Sequence, residues 1–256
     1  IATGKPLSTA GMMIEDRTRT YTIAMERTVV PENFSFRMTD EEYRVLEKIK
    51  NSIPVCYLAD HADFALGIVT GNNKKFLSAE KTENSEMVLK GTDICKYHIN
   101  PVKQYLRFEP EQFQQVAPLE IYRAPEKLLY RFISNQLVVA YDDRQMLSLN
   151  SCNIVIPKID GMQIKYILAI LNSSVSQFVY QKEFHSIKVL RAHMEHIPIP
   201  RVGKAIQNEI IAMTEPLICG MGKEAAETCQ KRLDCRIMDL FRFSAEEQWI
   251  IRHALH

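Results

Sequence analysis

The sequence lacks paired cysteines, long apolar runs and any strong excess of charge of one sign. Its six cysteines stand far apart without a Cys-x-x-Cys pair, a spacing that argues against a zinc or disulfide framework and predicts reduced thiols. No stretch approaches the roughly 20 apolar residues that a membrane span needs. The first residues carry charges and lack the apolar core of a secretory signal. These absences predict a cytoplasmic protein that does not enter a membrane.

The charge balance is close to neutral, with 32 basic and 31 acidic residues and a formal net charge of +1. This balance excludes a strongly basic tail for nucleic acid. It still permits binding to DNA if the lysines and arginines are gathered on one face. The 256 residues are 46% hydrophobic, enough for a globular protein with a sizeable core. The chain begins with Ile1 rather than Met, as a piece of a longer polypeptide would.

Helical patterns occur at both ends of the chain. The segment Thr39-Asp40-Glu41-Glu42 forms a capping box before an amphipathic stretch that Pro54 ends, and Ser244-Ala245-Glu246-Glu247 forms a second box near the C-terminus. Between these boxes, apolar residues recur with helical spacing in further stretches, at about 162–180, 204–215 and 223–241. Pro216 is expected to interrupt the second stretch and the glycines at 220 and 222 to separate it from the third.

The middle of the chain has the pattern of β-structure. Short apolar runs at 64–69 and 105–108 are candidate strands, and the first ends in the turn-forming residues Thr70-Gly71-Asn72-Asn73. Four more runs are separated by polar turns and predict an antiparallel meander, at 127–133, 137–141, 146–149 and 152–156. The sequence therefore predicts an α+β fold, with a β-rich lobe, flanking helices and a helical C-terminal connector.

Several segments, in a fixed order, resemble one protein family. They are Leu66–Phe76 (LGIVTGNNKKF), Leu147–Ile154 (LSLNSCNI), Tyr166–Ser173 (YILAILNS), Arg191–Pro200 (RAHMEHIPIP) and the terminus from Leu233 to Glu247. Each segment alone is a weak signal, but their shared order and spacing are specific. Over about residues 39–251 the chain resembles the TaqI-like C-terminal specificity domain, the target-recognition domain of type II and type IIG adenine-specific DNA methyltransferases and restriction enzymes.

The resemblance implies a division of labour. Residues 1–54 would join the chain to an upstream catalytic region, residues 55–200 would form the lobe that recognises double-stranded DNA, and residues 201–256 would form the helical connector. The catalytic methyltransferase or nuclease part would bind S-adenosylmethionine, and Mg²⁺ if it cleaves DNA. The sequence lacks the Asn/Asp-Pro-Pro-aromatic motif of adenine methylation and a Pro-Asp…Glu-x-Lys nuclease arrangement. The chain itself is therefore expected to hold no cofactor and to catalyse no reaction.

Candidate DNA contacts lie in turns and in one basic stretch. The loop with Asn72, Asn73, Lys74 and Lys75 offers amides and positive charge to a phosphate or base edge. The turn with Arg144 and Gln145 carries side chains that pair with guanine and adenine respectively. A basic stretch can follow a DNA backbone and consists of Lys182, His185, Lys188, Arg191 and His193. Its members Lys188 and Arg191 complete the predicted site. The histidines at 193 and 196 are interpreted as a polar turn rather than a metal pair.

Three alternatives stay open at the level of sequence. The chain can be a type I-like specificity subunit or the recognition domain of a phage-defence methyltransferase. It can be a protein-interaction domain that does not bind DNA. It can also be a small enzyme, which would need Cys56, Cys95 or Cys152 beside a histidine and a third, orienting group.

Overall fold

The computed structural model describes residues 9–15, 20–27, 37–184 and 186–254. The predicted α+β class is confirmed. Helices, a four-stranded central sheet and a second four-stranded sheet are stacked as three layers, with one apolar core on each side of the central sheet. Among the described helices, none combines the length and the apolar character that crossing a bilayer requires.

The helices in chain order are α1 (Asp40–Asn51), α2 (Asn73–Phe76), α3 (Leu119–Tyr122), α4 (Ile164–Asn172), α5 (Ser174–Phe184), α6 (Arg191–Glu195), α7 (Lys204–Ile218), α8 (Lys223–Leu240) and α9 (Ala245–His253). Both predicted capping boxes are confirmed. The Thr39 and Ser244 hydroxyls accept the N–H groups of Glu42 and Glu247, and each glutamate accepts the N–H of its cap residue in return. The glycine break before α8 is also confirmed, with Gly220 at a φ of +78°.

The strands in chain order are β1 (Met12–Glu15), β2 (Thr20–Ile23), β3 (Val55–Cys56), β4 (Ala62–Ala65), β5 (Leu77–Ser78), β6 (Ser85–Leu89), β7 (Tyr105–Arg107), β8 (Lys127–Arg131), β9 (Val139–Asp142), β10 (Leu147–Ser148), β11 (Cys152–Pro157) and β12 (Ile199–Pro200). The central sheet has the order β4-β11-β8-β9, and a second sheet, here called the distal sheet, has the order β10-β6-β7-β5. Strand β12 lies in the Ile-Pro-Ile-Pro segment and pairs with β3.

The central sheet is buried on both faces. Along β8, Leu128 and Tyr130 point into the core shared with the helices, and Leu129 points into the core shared with the distal sheet. The same alternation along β11 places Val155 in the first core and Ile154 in the second. Each strand therefore needs apolar residues on successive positions, which explains why the segments have continuous apolar runs rather than a hydrophobic–polar alternation.

Two amide side chains cover the free edge of β9. The Asn172 carboxamide accepts the Val139 N–H at 3.1 Å and donates to the Val139 carbonyl at 2.8 Å. The Gln177 carboxamide makes the same pair of bonds to Leu137, at 2.8 and 3.0 Å. Residues 137 and 139 are two apart, so their N–H and C=O groups face the same side. Together with the Tyr97 backbone, which donates to the Val139 carbonyl and accepts the Tyr141 N–H, the amides take the place of a further strand, and the buried edge keeps its hydrogen bonds.

The predicted four-strand meander is wrong. Only β8 and β9 form the expected hairpin. Strand β10 leaves the central sheet and pairs in parallel with β6, and β11 returns between β8 and β4. The chain turns away because the Asp142 carboxylate accepts the N–H groups of Arg144 and Met146, which a continuing hairpin would direct toward β9. The candidate strand at 64–69 is likewise divided: β4 ends at Ala65, and Ile68 bridges to Leu149.

Two of the predicted helix bounds also need correction. The single helix expected at about 162–180 is two helices, because Ser173 is extended (φ −67°, ψ 158°) and its hydroxyl accepts the Ser176 N–H. Pro216 does not interrupt α7, which continues to Ile218. Proline lacks one N–H but its fixed φ suits a helix, so one late position is tolerated at the loss of one hydrogen bond. The predicted domain bounds at 54 and 200 stay a prediction.

The edge-covering amide gives a first test. Replacing Asn172 with Ala leaves the buried Val139 N–H unpaired, while the Val139 carbonyl keeps its bond from the Tyr97 N–H, and we expect the free energy of unfolding to fall by about 1–3 kcal/mol. Denaturant unfolding measures this change. The control is Asn208→Ala, because Asn208 is an exposed amide bonded to the Gln163 side chain; its effect should stay within about 0.5 kcal/mol. Equal effects of the two substitutions would contradict the role assigned to Asn172.

Candidate nucleic-acid interface

A buried ion pair holds the turn that follows β9. The Lys127 ammonium lies 2.6 Å from an Asp142 carboxylate oxygen, and both side chains are fully buried. Lys127 also donates to the Tyr122 carbonyl at 2.6 Å. Burial lowers the pKa of Lys127, while the negative charge of Asp142 acts in the opposite direction. The pair keeps Asp142 in place to accept the two backbone N–H groups, each at 2.9 Å, that form the turn.

The turn displays three successive exposed side chains, those of Asp143, Arg144 and Gln145. Gln145 has a φ of +56°, a left-handed conformation that costs a non-glycine residue roughly 1–2 kcal/mol. Its carbonyl accepts a bond from the Arg123 guanidinium at 2.8 Å. The backbone is thus held on both sides of Arg144, and the Arg144 side chain is exposed to solvent.

The loop before β5 holds the second group of predicted residues. The Asn72 side chain accepts the Lys75 N–H and caps α2, and the Asn73 side chain accepts the Thr70 hydroxyl at 2.6 Å. The Lys75 ammonium donates to Gln112 and lies 4.9 Å from the centre of the Phe76 ring. The side-chain oxygens of both asparagines therefore shape the loop, while Asn72, Asn73 and Lys74 are all exposed.

Strand register brings these two groups to one end of the distal sheet. Leu77 in β5 pairs with Leu106 in β7, and Leu106 pairs with Glu86 in β6. The parallel pairing of β10 with β6 then places Gln145 beside Glu86, and Arg123 contacts both residues. Six of the eight predicted residues lie along this end: Asn72, Asn73, Lys74, Lys75, Arg144 and Gln145. Three strand spacings of about 4.8 Å separate the outer strands, about 14 Å in all.

One cation at this end escaped the sequence analysis. Arg107, the last residue of β7, pairs with Ser85 and lies 5.9 Å from the Phe76 ring, so it joins the same row as Lys75. Its guanidinium is 2.9 Å from Glu109 and 44% exposed. Its position at the end of the candidate strand at 105–108 is the feature of the sequence that could have identified it as a surface cation. We call this row the basic edge and define it by Lys74, Lys75, Arg107 and Arg144.

Lys188 and Arg191 lie elsewhere. Lys188 forms a β-bridge with Ile133, which follows the C-terminal end of β8, whereas the Arg144 turn lies near the N-terminal end of that strand. The Lys188 ammonium is 6.0 Å from the centre of the Phe132 ring. Arg191 lies 5.1 Å above the Phe64 ring and pairs with Glu195 at 2.7 Å. Phe64 packs against the core shared with the helices, so Arg191 is on the face of the central sheet that carries them.

The predicted basic stretch is not a continuous track. Lys182 is nearly buried in an ion pair with Glu42 at 2.8 Å. His193 stacks on Phe184 with ring centres 4.5 Å apart, and burial lowers its pKa, so it adds no charge at neutral pH. His185 lies outside the described residues. Among the described members of this stretch, only Lys188 and Arg191 are exposed cations, in different surroundings.

The described residues offer no donor set for a metal: none of their His, Cys, Asp and Glu side chains form a group of three or more that could hold an ion. The His196 ring contacts the Ala192 carbonyl, as in a polar turn. Burial raises the pKa of the Cys56 and Cys152 thiols, which keeps them protonated and weakly nucleophilic. The Cys95 sulfur accepts a bond from Asn100. These environments do not favour the cysteine-enzyme alternative.

Several residues of the resembling segments make contacts inside the protein. Gly67 is required because a Cβ there would lie 2.1 Å from the Leu149 carbonyl oxygen, where the first and second segments cross. The Tyr166 hydroxyl donates to the Pro200 carbonyl and joins the third segment to the fourth. In the last segment, Asp234 accepts the N–H and hydroxyl of Ser174, both at 2.8 Å, at the start of α5.

Comparison with known families agrees with the resemblance. Residues 86–199 match the model of the TaqI-like C-terminal specificity domain. This segment contains β6 to β12 and therefore both sheets' central strands, the Arg144 turn and the helices α4 and α5. No curated protein matches the chain significantly.

Solved structures from restriction–modification systems are similar in fold. The type IIL restriction-modification enzyme MmeI, determined in complex with DNA, aligns with a TM-score of 0.50 at 10% identity, over 78% of this chain and 36% of that one. The type IIG restriction endonuclease BpuSI aligns with a TM-score of 0.48 at 13% identity, over 86% and 32%. The HsdS subunit from Thermoanaerobacter tengcongensis aligns at 0.42 and 15%, over 84% and 50%. The chain thus spans at most half the length of these proteins.

The buried pair below the Arg144 turn can be tested by stability. Asp142→Asn removes the counter-charge of a buried ammonium and one carboxylate acceptor, and we expect it to lower the free energy of unfolding by about 3–5 kcal/mol. Asp63→Asn is the matched control: the Asp63–Lys158 pair has the same 2.6 Å separation but is 41% and 59% exposed, so the change should be below about 1 kcal/mol. Denaturant titrations in which both variants lose similar stability would contradict this assignment.

Proposed function

Residues 86–199 are a match to the TaqI-like C-terminal specificity domain, and on this basis we propose that the chain recognises a specific sequence in double-stranded DNA. In this proposal it serves a restriction–modification enzyme, and it directs N6-adenine methylation by a catalytic part that is distinct from residues 1–256. Where that part also contains a nuclease, recognition directs cleavage as well. The observation that carries the proposal is the collection of six predicted residues at one end of the distal sheet.

The dimensions of the basic edge suit a DNA groove. Its length of about 14 Å exceeds the roughly 12 Å width of the major groove, so in this proposal the row lies along that groove, where all four base pairs are distinguishable. Arg144 and Gln145 project from a single turn, and their side chains match the donor and acceptor patterns of guanine and adenine. Lys74, Lys75 and Arg107 supply positive charge along the flank, where phosphates would lie.

Catalysis belongs to the partner in this proposal. The chain has no Asn/Asp-Pro-Pro-aromatic segment to hold an extruded adenine. S-adenosylmethionine, and Mg²⁺ in an enzyme that cleaves, are therefore assigned to the methyltransferase or nuclease region that acts with this chain. Its contribution is to hold the duplex in register, so that one adenine is presented to the methyl donor.

The first experiment selects DNA from a randomised duplex library with the purified 256-residue chain. We expect enrichment of one short sequence motif, and an affinity that falls as salt rises because phosphate contacts displace condensed cations. Binding of enriched and scrambled duplexes at two salt concentrations measures both properties. Recovery of unselected sequences, or affinity for duplex that does not depend on salt, would refute the proposal.

Two substitutions distinguish a contact to a base from a contact to the phosphate backbone. Arg144→Ala should cost about 1–3 kcal/mol on the preferred duplex and relax the preference at one base pair only. Lys74→Ala should weaken binding to all duplexes about equally and reduce the salt slope by roughly one unit. Lys204→Ala, an exposed lysine at the start of α7, is the control and should change neither property. Equal losses on every duplex for Arg144→Ala would exclude Arg144 as a reader of sequence.

A further inference from the structure

We propose that Arg123 and Glu86 are positioning residues for sequence recognition: together they fix the turn that displays Arg144 and Gln145. The inference rests on the proposed function and names the part of the structure that sets its specificity. Neither residue needs to touch DNA. They act on the Gln145 carbonyl, which the Asp142 carboxylate cannot satisfy because both groups are acceptors.

The two terminal nitrogens of Arg123 form a fork that joins Glu86 to Gln145. One Arg123 nitrogen, Nη2, lies 2.7 Å from both carboxylate oxygens of Glu86. The other terminal nitrogen, Nη1, donates to the Gln145 carbonyl at 2.8 Å. A planar guanidinium held by a carboxylate has little rotational freedom left. The direction of Nη1 is therefore set by Glu86, and Nη1 in turn sets the direction of the Gln145 carbonyl.

This contact completes the support of the turn. Asp142 accepts the N–H groups of Arg144 and Met146, but a carboxylate cannot donate, so the carbonyl that directly precedes the Met146 N–H takes its hydrogen bond from Arg123. That carbonyl belongs to Gln145, the residue in the left-handed conformation. Without Arg123, the peptide group that follows Gln145 would be held from the Met146 N–H side alone. Gln145 could then leave its left-handed conformation, and the Cα of Arg144 would no longer be held in one position.

Arg123 is itself anchored to the core. It directly follows α3, whose last residue, Tyr122, is fully buried. The Tyr122 hydroxyl donates to the Leu66 carbonyl at 3.1 Å, and the Tyr122 carbonyl accepts the Lys127 ammonium. The two supports of the turn, Asp142–Lys127 and Glu86–Arg123, therefore meet at one buried tyrosine. The arrangement fixes the turn relative to both sheets, because Glu86 lies in β6 and Asp142 in β9.

Stability alone does not account for an ion pair of this kind. The Arg123 and Glu86 side chains are 32% and 43% exposed, and exposed pairs contribute little to folding. Their effect should appear instead in discrimination between base pairs. A side chain that hydrogen-bonds one base selectively must be held in one orientation, so that it binds the correct base more tightly than the others. Phosphate contacts made elsewhere on the basic edge tolerate a looser turn, so binding to unrelated DNA should change little.

The test uses Glu86→Gln, which keeps the shape of Glu86 but removes its charge, and Arg123→Lys, which keeps the charge but removes the fork. Binding is measured on the duplex selected by the wild-type chain and on its single-base-pair variants. We expect each substitution to reduce discrimination at the base pair read by Arg144 by about fivefold or more. Affinity for a scrambled duplex should change less than about twofold, and the thermal unfolding midpoint should be close to that of the wild type.

A matched control and a double substitution exclude a general structural effect. Arg236 and Glu209 form another exposed arginine–glutamate pair, between α8 and α7 at 2.7 and 2.8 Å, so Glu209→Gln should leave discrimination unchanged. In an Arg144→Ala background, Glu86→Gln should cause no further loss at the same base pair, since the two residues act through one contact. Additive losses, or full discrimination by Glu86→Gln, would overturn the inference. A wild-type chain without sequence preference would instead refute the proposed function.

Discussion

The central sheet has a packed core on each face, so its backbone polar groups have no access to water above or below. Every N–H and C=O at its edge and ends must therefore find a partner within the protein. At the edge of β9, the amides of Asn172 and Gln177 fill this role. At the end of the same strand, Asp142 accepts the N–H groups that the departing chain exposes, and a buried lysine balances its charge. The helical layer and the Arg144 turn both follow from these requirements.

The residues that carry the family resemblance serve the scaffold. Gly67 allows two segments to cross, Tyr166 joins α4 to the Ile-Pro-Ile-Pro segment, and Asp234 caps α5. Because these side chains are committed to internal contacts, they have little capacity left for a ligand. Recognition of different DNA sequences requires side chains that can vary without loss of the fold, and the exposed tips of the turns meet that condition. The buried residues of the motifs thus hold the domain together, while exposed residues, within a motif as Lys74 or between motifs as Arg144, would determine what it binds.

Sequence reasoning succeeded where the signal was local. The capping boxes at Thr39 and Ser244, the break at Gly220 and most strand positions depend on residues a few positions apart, and each is confirmed. It failed where partners are distant in the chain. The parallel pairing of β10 with β6 depends on residues about 60 positions apart, and no periodicity in either segment specifies it. The same limit applied to the candidate site: turn chemistry pointed to Asn72 and Arg144 separately, but only the register of four strands places them at one end of a sheet.

At the basic edge, the residues that hold the Arg144 turn in place differ from the residues that the turn exposes to solvent. The groups that shape the Arg144 turn are buried or held in place, whereas Arg144 itself is exposed and bonded through its backbone alone in the described contacts. A substitution at Arg144 therefore removes no internal contact, while one at Asp142 removes three. The buried contacts of Lys127 and Asp142 contribute to the stability of the turn, whereas the exposed side chains do not. The exposed side chains can therefore be exchanged with little loss of stability. A turn built in this way can present a different donor and acceptor pattern to DNA while the sheets, the cores and the Lys127–Asp142 pair stay unchanged.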